Sequence, residues 1–265
     1  MASSDRPLAL VTGASGGIGE ELAVRFARGG YDVALTARSR GGLEATAVRC
    51  REAGAEAAHV IALDLQAPGA GAALETAVRA LGVRPAVLVN NAGYGLVGGF
   101  GALDREDQLA MIELNIRALT DLTHRFLPDV VEAKGGVLNV ASTAAFQPGP
   151  GMAVYYASKA YVLSFTEALD HELRRAGAKA TALCPGPVRT GFQRRAALTE
   201  GMGMMTRAQV LTAEEVADIG FRGFAAGRPV VIAGGRNALM ARLVGFVPRR
   251  RLLRVVHALQ RSKTA

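Results

Sequence analysis

Seven short runs rich in apolar and β-branched residues punctuate the chain, and longer stretches of helix-forming composition separate them. The runs are LALV (8–11), DVALT (32–36), HVIAL (59–63), AVLVN (86–90), GVLNV (136–140), KATAL (179–183) and PVVIA (229–233). A strand with one wet face alternates apolar and polar residues, whereas these are apolar almost throughout and must be covered on both faces. Strands separated by helices pair in parallel, because a parallel connection needs a crossover of about a dozen residues or more. The pattern predicts an α/β fold: a doubly wound parallel sheet of about seven strands in three α/β/α layers. Half of the 265 residues are hydrophobic, and no internal repeat, low-complexity tract or linker interrupts them. One domain over residues 1–235, followed by a basic helical tail over 236–265, is the economical division.

In such sheets ligands bind beyond the carboxyl ends of the strands, where strand order reverses, so the loops after the strands hold the functional signal. The first run is followed by TGASGGIGE (12–20), in which Gly13, Gly17 and Gly19 give the spacing Gly-x-x-x-Gly-x-Gly around Ser15 and Ile18. Glycines there permit a tight turn and a close backbone approach, and a pyrophosphate would meet a helix N-terminus. An ordinary glycine-rich turn has the same composition, but the place between first strand and first helix favours the dinucleotide reading. The second run ends LTARSR. An acid at that point would bind a ribose 2′-hydroxyl and repel a 2′-phosphate; this chain has Ala37 and then Arg38. Arg38 offers a planar fork to a phosphate and a face to adenine, with the Ser15 and Ser39 hydroxyls as further donors. A solvated surface arginine is the plain alternative. The missing acid points to NADP(H).

Four more segments follow in order: NNAG (90–93), MIELNIRAL with Asn115, NVAST with Ser142, and VYYASKAYV (154–162); LCPGPVRTGF (183–192) comes after them. With the glycine loop these motifs resemble the single-domain short-chain dehydrogenase/reductases, over roughly residues 7–233. The resemblance implies a Rossmann-like fold and an NADP(H)-dependent oxidoreductase that interconverts a carbonyl and an alcohol. It also implies Asn115, Ser142, Tyr155 and Lys159 as catalytic residues. The tyrosine stands four residues before the lysine, so Tyr155 is the pair member and Tyr156 fills the variable place. Contacts to the cofactor are implied for the glycine loop, for Asp64 and Leu65 near adenine, and for Asn91, Ala92 and Gly93 along its length. Tyr155, Lys159, Pro185, Gly186, Val188 and Thr190 are implied near the nicotinamide. Relatives commonly dimerise through the two long helices that correspond here to 105–133 and 153–176, and a homodimer is the expectation.

The chemistry accounts for the residue types. Reduction of a carbonyl needs a hydride at carbon, which the cofactor brings, and a proton at oxygen. Free tyrosine, with a pKa of about 10, exchanges protons poorly near neutrality, and a neighbouring ammonium is expected to lower that value. Tyr155 and Lys159, four apart, share one helix face. Ser142 would hold the substrate oxygen, and Asn115 would help to anchor a water leading from Lys159 to solvent. Singly, each has a plain structural use; the four together at these spacings favour function.

For the substrate, GFQRRAALTEGMGMMTRAQVL (191–211) would close over the pocket, with Phe192, Met202, Met204 and Met205 giving an adaptable apolar lining and Tyr94, Phe146 and Met152 facing it from other loops. Arg194 and Arg195 are candidate partners for a carboxylate. A hydrophobic ketone or aldehyde is the expectation. A cofactor-binding redox sensor without turnover is the rival from another class; a sugar-nucleotide epimerase would need a larger C-terminal region.

The formal charge is +8, and Arg236, Arg242, Arg249, Arg250, Arg251, Arg254, Arg261 and Lys263 account for all of it, with no acid among residues 236–265. A basic excess confined to the tail does not describe a nucleic-acid-binding domain, and no such motif is present. Four scattered histidines and two distant cysteines, Cys50 and Cys184, make neither a metal site nor a disulfide framework. The opening MASSDRPLALVTG lacks a basic n-region and an apolar core, so no signal peptide and a cytoplasmic location are expected. In the tail, Leu239, Met240, Leu243, Val244 and Val247 fall on one helical stripe, Pro248 breaks the path, and Leu252, Leu253, Val256 and Leu259 share a second face opposed by Arg250, Arg254, His257 and Arg261. Such a tail either lies in an anionic membrane interface or folds back over the cleft or the dimer.

Overall fold

The computed structural model describes residues 6–189 and 210–261. Every apolar run becomes a strand: β1 Leu8–Thr12, β2 Asp32–Ala37, β3 Ala58–Ala62, β4 Pro85–Asn90, β5 Gly136–Val140 and β6 Lys179–Cys184. Two short segments, β7 Val188–Arg189 and β8 Leu211–Thr212, pair with each other, and β9 is Val230–Ile232. The main sheet has seven parallel strands in the order β3-β2-β1-β4-β5-β6-β9. Alternation along each strand feeds two separate cores. Ala9, Val11, Val87 and Val89 point into one, and Leu8, Leu10 and Leu88 into the other.

The helices are α1 Gly17–Arg28, α2 Arg40–Glu52, α3 Ala70–Ala80, α4 Arg105–Ile112, α5 Leu119–Glu132, α6 Ala153–Leu173, α7 Ala213–Ala225, α8 Gly235–Val244 and α9 Arg249–Arg261. Leu22 and Phe26 of α1, Leu43 of α2 and Val216 and Phe224 of α7 cover the first core. Leu74 and Val78 of α3, Leu122 and Phe126 of α5 and Leu169 and Leu173 of α6 cover the second. A Thr212–Glu215 capping box starts α7, satisfying donors that the helix leaves unpaired.

Two features of this frame position the functional end. The chain leaves β1 towards β2 and β3, then returns to place β4 on the other side of β1, which opens a crevice beyond the carboxyl ends of β1 and β4. Beneath that crevice runs a buried polar ladder. Asn90 donates to Thr123 Oγ1 at 3.0 Å and to Asn139 Oδ1 at 2.9 Å, and Asn139 donates to Thr166 Oγ1 at 2.9 Å. Side-chain polar groups in a dry interior must find partners, so the ladder fixes α5 and α6 in register with β4 and β5. It thereby sets the height of the first turn of α6.

In the tail, Pro248 separates α8 from α9, as expected. The first stripe does not pack on the body: Leu239, Met240 and Leu243 are exposed, and the buried position is Asn237, with Ala238, Ala241 and Val244 half-buried. Asn237 is held there by a 2.9 Å bond to the Ala233 carbonyl. In α9, Leu252 and Val256 are buried while Leu253 is exposed; the side chain of Leu259 lies outside the described part. No helix among the described residues is long and apolar enough to cross a membrane.

Candidate active site

The loop after β1 is stitched to the loop after β4. Thr12 Oγ1 accepts from the backbone N–H groups of Asn91 at 2.9 Å and Ala92 at 3.0 Å, while Asn91 Nδ2 donates to the Thr12 carbonyl at 2.9 Å and the Gly13 carbonyl at 3.2 Å. This closeness leaves no room for side chains. Gly13 has a φ of 65°, and a Cβ on it would stand 3.0 Å from Ala92 Cα. A Cβ on Gly19 would stand 2.4 Å from the Gly13 carbonyl oxygen. Gly19→Ala is therefore expected to spread the loop, at roughly 1–3 kcal/mol. That corresponds to a fall in Tm of roughly 2–4 °C per kcal/mol, measurable by calorimetry, together with weakened cofactor binding; an unchanged Tm would contradict the close approach.

At Gly16 the situation reverses. A Cβ there would meet nothing within 4 Å, and the N-terminus of α1 has no side-chain cap. Its first N–H groups face an open cleft of about 1310 Å³, lined here by Gly13, Ser15, Gly16, Gly17 and Ile18. An uncapped helix start with small neighbours suits a phosphate, and the volume exceeds that of a site for one drug-sized molecule. The residues present thus fit a dinucleotide lying beside a second, smaller ligand. The same cleft is lined by Arg38, Ser39, Asp64, Leu65, Asn91, Ala92 and Gly93. Arg38 is exposed and forms no ion pair with a described acid. Ser39 also caps α2, accepting from Gly42 N at 3.3 Å, and Asp64 accepts from Gln66 N at 3.0 Å.

At the other end of the cleft Ser142, Tyr155 and Lys159 converge with Pro185, Gly186 and Val188. Ser142 ends β5 and caps the short 3-10 turn that follows, its oxygen accepting from Ala144 N at 3.1 Å. It also hydrogen-bonds the Tyr155 phenol. Lys159 Nζ lies 5.9 Å from the centre of the Tyr155 ring and donates to the Val140 carbonyl at 2.8 Å. Burial pushes the phenol up to about 12, against a lowering by the Ser142 hydrogen bond, and pulls the lysine down to about 8. The expectation that the ammonium depresses the tyrosine is not met. Both groups are deeply desolvated, and the lysine spends its hydrogen bond on a backbone carbonyl.

Asn115 sits in the π-helical turn Glu113–Ala118 between α4 and α5. It is buried behind the cleft wall, not in it. Its Oδ1 accepts from Tyr94 N at 3.1 Å, and its Nδ2 donates to the Tyr94 carbonyl at 2.9 Å and to Ser158 Oγ at 3.1 Å. The amide thus holds the Gly93–Tyr94 backbone against α6. Tyr156 is buried, its ring 2.3 Å from where a Cβ on Gly149 would stand, and it also lines the cleft.

Tyr94, Phe146 and Met152 line the cleft. Thr190, Phe192, Arg194, Arg195, Met202, Met204 and Met205 lie outside the described residues. Sequence reasoning missed Leu96, Gln66, Asn237 and Ala241; with Met240 and Val244 of the first tail stripe, the last two form the wall that α8 gives the cleft, which is the fold-back alternative for the tail. Asn237, Ala241 and Val244 are spaced four and three apart, and that spacing was the available signal.

The family model described as short chain dehydrogenase matches residues 7–201. Sulfoacetaldehyde reductase from Chromohalobacter salexigens is 36% identical over 185 residues, which are 69% of this chain and 72% of that protein. Among solved structures, a short-chain dehydrogenase from Sphingobium yanoikuyae in complex with NADPH has a TM-score of 0.78 at 34% identity, covering 91% of this chain and 94% of the other. A short chain dehydrogenase/reductase from Burkholderia phymatum in complex with NAD has a TM-score of 0.77 at 28% identity, covering 92% of this chain and 94% of the other.

Proposed function

Since the chain belongs to the short-chain dehydrogenase/reductase family, whose members are oxidoreductases working between hydroxyl and carbonyl groups, we propose that it is an NADP(H)-dependent reductase of hydrophobic ketones or aldehydes. The observation that carries the reading is the convergence of Ser142, Tyr155 and Lys159 at one end of a cleft whose other end is an uncapped glycine cradle. Bound nicotinamide would supply the hydride. Tyr155 holds the proton for the substrate oxygen, and Ser142, already hydrogen-bonded to it, orients that oxygen. A phenol pushed up by burial is protonated at neutral pH, which is the form that reduction consumes. Lys159 replaces the proton and holds ribose hydroxyls, and Asn115 acts as a positioning residue.

Two features support the finer parts. No acid ends β2, and Arg38 stands free on the cleft rim, which favours the phosphorylated cofactor. Leu96, Phe146, Met152, Met240 and Val244 line the substrate end, and Lys159 is the one cation there among the described residues, which favours an apolar, uncharged substrate. Cys50 and Cys184 are free and buried, in keeping with a reducing compartment such as the cytoplasm. The cofactor half is tested by Arg38→Asp. The substitution should weaken NADPH by roughly 10- to 100-fold, the loss of a charge-assisted pair, and should improve NADH. Equal wild-type affinities for the two in fluorescence titration would show Arg38 to be a surface charge only. The reaction half is tested by NADPH consumption on addition of an apolar ketone.

A further inference from the structure

The turn between α8 and α9 exposes what a folded chain normally hides. Phe246 is 86% exposed, Leu239 59%, Leu243 54% and Met240 44%. Leu239 and Leu243, four apart, form the outward stripe of α8, opposite Asn237, Ala241 and Val244. The chain turns tightly here, with Phe246 N bonded to the Leu243 carbonyl at 3.1 Å and Val247 N to the Val244 carbonyl at 3.2 Å. Immediately afterwards Arg249, Arg250 and Arg251 open α9, which has no acid in its first turn. Three cations there face the positive end of the helix dipole, an arrangement that is locally unfavourable. All are exposed, and with Arg236, Arg242 and Arg254 they form no ion pair with a described acid. Burying the apolar tip against a second copy would bring two such clusters together, so charge argues against that occupant.

We propose that this turn docks on an anionic lipid surface, with Phe246, Leu243 and Leu239 entering the interfacial layer and Arg249–Arg251 meeting the headgroups. The tail helices are too short to span a bilayer, and an interfacial seat needs only one apolar face beside a basic one. Anionic headgroups would also relieve the positive end of α9. Met240, exposed on α8 and lining the cleft, would then bring the rim of the site to the lipid surface. The proposal is independent of the carbonyl-reductase reading, since docking needs no turnover.

The test is cosedimentation of the full chain with vesicles of equal parts phosphatidylglycerol and phosphatidylcholine, or of phosphatidylcholine alone. Melting curves of each variant confirm that it is folded. Binding is expected on the anionic vesicles, little on the neutral ones, and loss at about 0.5 M salt. Each basic residue near such a surface contributes about fivefold, so the triple variant R249E/R250E/R251E should bind at least roughly 100-fold more weakly. Phe246→Ser should bind roughly tenfold more weakly. The proposal is overturned if the wild-type chain stays in the supernatant with anionic vesicles at low salt, or if it binds both vesicle types alike. It is also overturned if Phe246→Ser lowers the light-scattering mass while leaving vesicle binding unchanged, which would mark the face as a contact between copies.

Discussion

Replacing Tyr155 with phenylalanine is expected to lower kcat by on the order of 10³-fold, within the range that a positioned acid/base supplies. The same change should leave cofactor affinity within about threefold, a difference of well under 1 kcal/mol. The structure makes the variant specific. The Tyr155 ring is wedged beside Gly95, where a Cβ would stand 2.9 Å from it, and packs with Met152 and Ala144. Phenylalanine keeps all of that packing and removes the hydroxyl, with its bond to Ser142. Steady-state kinetics together with NADPH fluorescence titration separate the two effects. A variant with an unchanged kcat at saturating NADPH but a much weaker cofactor affinity would place the tyrosine in binding rather than proton transfer.

Lys159→Met should abolish turnover to a similar degree and yet make the cofactor-free protein more stable. Holding the buried ammonium, whose pKa burial lowers to about 8, costs the native state roughly 3 kcal/mol at pH 7. Methionine fills a similar volume without charge but leaves the Val140 carbonyl without its donor, so a net gain of roughly 1–2 kcal/mol is expected. The sign with pH is definite. Below about pH 8 both folded and unfolded lysine are protonated, and the penalty on the wild type is complete. Between about 8 and 10.5 the folded lysine sheds its proton before the unfolded one does, and the penalty fades. The advantage of methionine in urea unfolding should therefore be largest at neutral pH and shrink towards pH 10. A variant less stable than wild type at pH 7 would show that the lysine supports the fold rather than straining it.

How much of this was legible before the fold was seen follows from what each residue does. The seven strands were legible because two-sided burial demands continuous apolar runs, and the cofactor end because close backbone contact at Gly13 and Gly19 admits glycine alone. The face shared by Tyr155 and Lys159 followed from helical spacing. Their protonation did not, because desolvation depends on neighbours from β5, from the 3-10 turn and from the loop at Gly95. Asn115 was found by its motif, but the use of its amide on Tyr94 and Ser158 is a tertiary fact. Asn90 ends β4 and Asn139 stands inside β5, and only the packing of α5 and α6 turns them into a buried ladder. That the tail could fold back over the cleft was open from the sequence, but which face of α8 does so was masked by its outward stripe, since Leu239 and Leu243 imitate a core-facing pattern while Asn237 occupies the buried position.

The most direct measurement is NADPH absorbance followed against a panel of aldehydes and ketones graded from polar to strongly apolar, with the Tyr155→Phe protein run in parallel. Steady oxidation of NADPH by the wild type, rising with the apolar character of the carbonyl and absent from the variant, is the expected result. Tight NADPH binding by both proteins with no turnover of any carbonyl would contradict it, and would make the cleft that of a cofactor sensor.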